Sequence, residues 1–425
     1  MNTNILDFGA ISDGITLNTL AIQKAIDKCA EAGGGRVTIP AGIFKSGTIW
    51  LRSNVELHLE MGAELLASDN LDDYNELDAY PQNSHRNEFE GWVGKHLIIA
   101  LNVENCAITG LGTINGNCHA YVYPYFGETE LAKWGWKHGI AELKDKENLR
   151  PGQLICFIES KKLRVKDISI IDSPCWSLLF HGCEFVQVNS IRVNNPAWML
   201  NSDGIDIDAS RYVTVSDCII LTGDDAITLR ACEHRLENKN VNCEYVTVTN
   251  CVLSSGICAF RLGVGRGTIK HARISNVVVK GSHTLAQICT AYSPTCKADM
   301  DDINFSNISA VNTDIFVDAF AKNGASIRNV TMENIRTDCK QENAIRVENG
   351  SIENFTLRNI EIYFPETESI SSDDVGTRQA KSPIYINGVK KMTLDNVKVY
   401  GIKDASDCDI IGDNCPELVK NNCNF

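Results

Sequence analysis

The sequence predicts an all-β chain folded as a single right-handed parallel β-helix, a solenoid with an N-terminal capping α-helix. Three observations predict it. From about residue 100 a tetrad of apolar, any, Asn or Asp, apolar recurs: VKDI (165–168), VNSI (188–191, with Ser), VSDC (215–218), VTNC (248–251), ISNV (274–277), FSNI (305–308), MENI (332–335), LRNI (357–360) and LDNV (394–397). Successive tetrads start 23 to 37 residues apart, the period of repeat architectures. Each unit is rich in Val, Ile and Thr, is too short for a helix, and is followed by a turn cluster such as DSP, NNP, LTGDD or SSG.

In chain order, residues 16–35 form the one clear amphipathic helix, with Leu20, Ile22, Ala25, Ile26, Cys29 and Ala30 as its apolar stripe. Asn18 is placed to cap its start and Gly33 its end. The triple glycine precedes the strand RVTIPAG, the reverse of the strand, glycines, helix order of a phosphate loop. One repeat unit cannot bury its own apolar side, whereas units stacked in parallel close a continuous core. That stacking lines up Asp167, Asp217, Asn250, Asn276, Asn307, Asn334, Asn359 and Asn396 as a polar ladder in one turn, satisfying backbone groups. The helix then covers the first rung and hides an edge open to other strands. The whole of 1–425 reads as one domain: about 1–100 the N-terminal cap and first rungs, about 117–150 an inserted loop, and about 405–425 a tail without the tetrad that closes the other end.

With 54 acidic against 40 basic residues the net charge is -14, which argues against a nucleic-acid surface or an anionic membrane face. No segment is long and apolar enough to span a bilayer, and the N-terminus lacks the pattern of an export signal. The expected location is therefore cytoplasmic, or secreted if a leader has been removed. The 17 cysteines are an odd number without metal-ligand spacing, and several, such as Cys218 and Cys251, stand where other units carry Val or Ile. They read as reduced core residues of a reducing compartment.

The stretch NSDGIDIDASRYVTVSDCIILTGDDAITLR (201–230) carries the chemistry. Aligning neighbouring units by their alternation sets Ile205 and Ile207 on Ile227 and Leu229, and then on Phe260 and Leu262, all pointing inward. Asp206, Thr228 and Arg261 then form one outward column; Asp203, Asp225 and Cys258 form another, earlier in each strand. Parallel strands lie about 4.8 Å apart, so Asp203 and Asp225 approach each other with Asp224 beside them. Carboxylates at that range repel and at least one has its pKa raised, as a proton donor near neutral pH requires. Asx-turns or a calcium site are alternatives for one aspartate; three in register on successive rungs favour acid–base chemistry.

On these residues the chain resembles glycoside hydrolase family 28, the polygalacturonase family of right-handed β-helices. The resemblance is carried by NSDGIDI (201–207), GDDAI (223–227), SPCW (173–176), GLGTINGN (110–117), and DFGA (7–10) with AIQKAIDKC (21–29). It implies that Asp224 is the general acid that protonates the glycosidic oxygen, while Asp203 and Asp225 position and deprotonate water. It also implies inversion at the anomeric carbon, with carboxylates about 6.5–9.5 Å apart.

The chain departs from that family at two places. The family's G-H-G corresponds to GICAFRLG (256–263), where Cys258 replaces the His, and a neutral thiol does not supply its charge. The family's R-I-K corresponds to QIC (287–289), so both cations are missing and Gln287 stands in place of one. The departures point to a changed substrate: the family also holds rhamnogalacturonan hydrolases, rhamnosidases and xylogalacturonan hydrolases, some without the His. Arg261 is a candidate clamp for an anionic group, with Arg230 and Arg266 weaker candidates. Asn201, Cys258, Gln287 and His181, the last reaching from the preceding rung, complete the candidate substrate contacts.

Between Gly116 and Arg150 an insertion carries Tyr121, Tyr123, Tyr125, Trp134 and Trp136, aromatics on which sugar rings stack, as expected if one groove end is walled off for exo action. The expected activity is inverting hydrolysis of a pectin-related oligosaccharide, rhamnogalacturonan-type ahead of plain galacturonan, with no metal or organic cofactor. A polysaccharide lyase on the same fold is an alternative, weakened by the lack of Lys or Arg beside the aspartates; a non-catalytic carbohydrate-binding β-helix is another. Oligomeric state is not legible.

Overall fold

The computed structural model describes residues 1–76, 78, 86–87, 90–126, 140–145, 149–340, 343–364, 383–401 and 414–424. Among the described residues thirty strands join into one sheet wound as a right-handed parallel β-helix. The strand face that matters here runs through Ile155–Ile158, Leu178–His181, Ile205–Asp208, Ile227–Ala231, Cys258–Gly265 and Ser282–Cys289, each in register with the next. A second face stacks Lys161–Lys166, Glu184–Asn189 and Arg211–Ser216; a third stacks Ser169–Ile171, Arg192–Asn194 and Ile219–Thr222. From Cys243–Ser255 onward the second and third faces merge into long bent strands. Inward residues are apolar and stack like on like, Val186 over Val213 and Phe157 over Phe180 with centroids 5.1 Å apart.

The bend between the second and third faces explains the polar ladder. Asp167, Ser190, Asp217, Asn250, Asn276, Asn307, Asn334, Asn359 and Asn396 all have φ between 53° and 65°, the left-handed region that Asn and Asp tolerate best among residues with a Cβ. From Asn307 to Asn396 each amide donates to its predecessor: Asn307 Nδ2 to Asn276 Oδ1, then Asn334 to Asn307, Asn359 to Asn334 and Asn396 to Asn359, at 2.9–3.3 Å. The expectation that these residues satisfy backbone groups is corrected. Their side chains mainly bond one another, and their backbones turn the chain.

The ladder also corrects the reading of the tail. Asn422 continues it, donating to Asn396 Oδ1 at 3.2 Å, and Glu417–Asn421 pairs in parallel with the strand Lys391–Tyr400. The tetrad was unrecognisable because Lys420 occupies its first apolar position.

At the other end the helix spans Thr19–Glu31 and buries Ile22, Ala25, Ile26 and Cys29 in the solenoid core. Leu20, assigned to that stripe, is exposed. Gly33 terminates the helix at φ +91, its N–H bonding Ala30 O at 2.9 Å. Asn18 precedes the helix, but its side chain makes no cap: its amide bonds Ile11 N, Ile11 O and Thr16 O, tying down the preceding loop. In the insertion, Val122–Tyr125 pairs antiparallel with Ile140–Leu143. Tyr121 is buried against Cys118 and Met199 with its hydroxyl on Ser68 O, so it offers no stacking face; Tyr123 and Tyr125 are exposed. Trp134 and Trp136 lie outside the described residues. No described helix is long and apolar enough to cross a membrane.

Candidate active site

The register that alternation predicts is the register observed: Ile205 and Ile207 pair with Ile227 and Leu229, which pair with Phe260 and Leu262. Two glycines let the turns before these strands close. A Cβ on Gly204 would lie 2.5 Å from Ala226 O, and one on Gly223 2.4 Å from Met199 O. These turns hold Asp203, Asp224 and Asp225 together, one oxygen of each lying within 4.8 Å of the others. That spacing is shorter than the gap expected for an inverting pair, because all three side chains leave adjacent turns on one side of the sheet.

Each carboxyl has a different setting. Asp224 is the partly exposed one; its Oδ2 accepts from Asn201 N at 3.0 Å and its Oδ1 from Asp225 N at 2.9 Å. Burial and the neighbouring Asp225 push it up to about 7, against Arg261. Asp203 is buried, and desolvation with Asp224, Asp206 and Asp225 around it raises it well above the usual carboxylate range. Its Oδ1 has no hydrogen-bond partner among the described residues. Asp225 accepts from Cys258 N at 3.1 Å and is gripped by Arg261 through Nε and Nη2, the second contact at 3.2 Å.

Several expected substrate contacts have other work. Arg261 is not an open clamp: besides Asp225 it donates through Nη1 to Gln287 Oε1. Cys258 is 1% exposed; burial raises its thiol well above the ordinary range, and both its backbone N–H, at 3.1 Å, and its thiol hydrogen-bond Asp225. Asn201 holds Asp224 with its backbone, while its side-chain Oδ1 accepts from Arg150 Nη2 at 2.8 Å. His181 is not brought to the aspartate cluster. It is 2% exposed, with Nε2 3.2 Å from Cys232 O and 3.9 Å from Asp208, and burial lowers its pKa despite that carboxylate.

Sequence reasoning gave no role to Asp206, Asp208, Arg150, Asp318 or Arg346. Asp206 is fully buried, accepts from Thr228 Oγ1 at 2.5 Å, lies 3.6 Å from Arg230 Nη1, and is pushed up to about 7 by burial. Arg230 also lies 3.5 Å from Asp208, and its guanidinium covers Trp176 at 4.2 Å from the ring centroid. Burial alone would raise Asp208, yet His181 and Arg230 hold it below the usual range. The outward column gave the signal for Asp206, and continuing it past Gln287 gives Asp318 and Arg346. Nothing in the sequence marks Arg150, which comes from the insertion to bond Leu200 O and Asn201.

Residues 29–377 match the model for glycosyl hydrolases family 28. The chain belongs to this family. It is 30% identical over 256 residues to an exo-poly-alpha-D-galacturonosidase of Dickeya chrysanthemi, covering 54% of this chain and 42% of that protein. It is 25% identical over 347 residues to an endo-polygalacturonase of Pectobacterium carotovorum subsp. carotovorum, covering 75% and 83%. Among solved structures, the family 28 exopolygalacturonase of Yersinia enterocolitica superposes with a TM-score of 0.72 at 20% identity, covering all of this chain and 78% of that one, a likeness of fold.

Proposed function

We propose that the chain is a glycoside hydrolase in which Asp224 protonates the leaving glycosidic oxygen while Asp225, steadied by Arg261, takes the proton of an attacking water. The observation that carries this is the contrast within one cluster: a partly exposed carboxyl pushed up to about 7 beside a carboxylate in an ion pair. Asp203 Oδ1, buried and unpartnered among the described residues, is the oxygen that holds the water. Because the three carboxyls are so close, the sugar lies above them rather than between them. By separation alone the site would read as retaining, and inversion requires water to enter from the Asp203 side.

We take the substrate to be a pectin-related oligosaccharide cut from a chain end, as the name of the Dickeya relative supports. The uncharged Gln287 and the pairing of Arg261, Arg230 and Arg346 with carboxylates favour a neutral sugar at the cleaved linkage, rhamnogalacturonan-type ahead of plain galacturonan. The lyase reading loses its original objection, because Arg261 does stand beside the aspartates. Burial works against its charge, but Asp225 holds its pKa well above the ordinary value, so it cannot serve as a base. The unbridged cysteines support action on imported oligosaccharides in a reducing compartment.

A product profile on oligogalacturonides and rhamnogalacturonan oligosaccharides tests the proposal, with NMR of the newly formed anomer. Cleavage of the rhamnose-containing members with inversion, lost in Asp224→Asn, is expected. Unsaturated ultraviolet-absorbing products would replace it with a lyase, and retention would reassign Asp203 or Asp225 as nucleophile.

A further inference from the structure

We infer that Gln287, Asp318 and Arg346 are positioning residues, a relay of side chains that sets the Arg261 guanidinium against Asp225. The inference rests on the reading of Asp225 as the group that takes the water's proton.

The relay follows from register. Thr228, Arg261, Gln287, Asp318 and Arg346 occupy one outward column on five successive rungs, so neighbouring side chains start about 4.8 Å apart. Arg346 donates to Asp318 from Nε at 3.2 Å and from Nη2 at 2.8 Å. Gln287 Nε2 donates to Asp318 Oδ2 at 3.3 Å, and Gln287 Oε1 accepts from Arg261 Nη1. The order along the column is therefore cation, amide, carboxylate, cation. Side-chain exposures of 12% for Arg261, 4% for Asp318 and 14% for Arg346 leave these contacts weakly screened.

The chemistry at position 287 is narrow. The side chain there must accept from a guanidinium on one side and donate to a carboxylate on the other, and an amide has one end for each. A Lys or Arg would set a second cation against Arg261, and a Glu would face Asp318. This gives a physical reason for the missing family cation at 287. Once Arg261 occupies the preceding rung, a cation beside it is disfavoured, so Arg261 and the uncharged Gln287 form one coupled pair.

Arg261 is a long side chain with many rotamers, and its two-point grip on Asp225 fixes the plane of that carboxylate only while the guanidinium is held. Gln287 holds it from the side away from Asp225. The relay thus acts on orientation at the reacting centre and not on the sugar.

The test is steady-state kinetics and thermal midpoints for Gln287→Leu, Gln287→Glu, and the exchange Gln287→Glu with Asp318→Asn. The substrate is the rhamnogalacturonan oligosaccharide, or an oligogalacturonide should the protein cleave only that. Gln287→Leu is expected to lower kcat by roughly ten- to a hundredfold, the scale of misplaced catalytic groups, with KM within about twofold. Gln287→Glu alone is also impaired. In the double exchange the carboxylate at 287 still accepts from Arg261, the new amide at 318 donates to it in place of facing it with a second carboxylate and keeps an oxygen for Arg346, and most of kcat is recovered. Wild-type kcat in Gln287→Leu, or no recovery in the double exchange when all variants melt cooperatively, overturns the relay. Asp225→Asn separates the two readings. If it stays active, the assignment of Asp225 is wrong; if it is dead while Gln287→Leu is unaffected, only the relay is wrong.

Discussion

At the residue scale, the site concentrates carboxyl groups where burial disfavours their charge. Asp224 and Asp206 are pushed up to about 7, with burial the leading cause for both, and Asp203 is raised well above its ordinary value. In an unfolded chain such groups titrate near 4. The folded state therefore binds more protons between about pH 4 and pH 7. The stability these groups contribute is complete below the lower value and is lost as pH rises through the upper one. Two consequences follow for Asp224. The activity of the wild type should fall on the alkaline side of about pH 7 as the general acid loses its proton. Asp224→Asn should be inactive yet melt higher than wild type at pH 8, with the difference vanishing toward pH 4. Thermal midpoints across that range decide it, and a lower midpoint at pH 8 would show that Asp224 stabilises the fold.

At the scale of elements, the rungs are joined by a turn whose residues share φ near 55°, and the amide ladder runs along it. A β-carbon in the left-handed region costs about 1–2 kcal/mol unless the side chain compensates. Asn334 compensates through its bonds to Asn307 and from Asn359. Asn334→Ala should therefore destabilise by about 1–2 kcal/mol, whereas Asn334→Gly, which accepts this backbone without strain, should cost less. The two urea midpoints give the comparison. Equal losses would mean that the amide bonds, and not the backbone, account for the Asn preference.

At the scale of the whole molecule, the core continues from the helix through the last rung, and small buried side chains fill it. Of the described cysteines, fourteen are buried and none is bridged. Burial pushes many of them upward, Cys106 and Cys183 among them to about 12, which makes them inert as nucleophiles. A thiol reagent should react with few groups in the native protein and with all 17 after denaturation without reductant. Fewer than 17 would reveal a disulfide and argue against a reducing compartment.

The sequence by itself determined the repeat, the inward and outward alternation, and the register that gathers Asp203, Asp224 and Asp225, because these depend on periodicity two along a strand and one strand per rung. It determined most of the ladder for the same reason, and lost its last rung only where Lys420 broke the apolar pattern. Only the tertiary structure decided what the long polar side chains do. Asn18 could cap a helix or tie down a loop, His181 could face a groove or Asp208, and Arg261 could await an anion or hold Asp225. Each has several rotamers and several partners in reach, and the choice depends on side chains from other rungs. For Arg261 it depends on Asp225 and Gln287, one rung to either side, and for Asn201 on Arg150, 51 residues away in the chain. Position along a strand is a local property of the sequence, but the pairing of buried charges is settled by whichever neighbours the coil brings within a hydrogen bond.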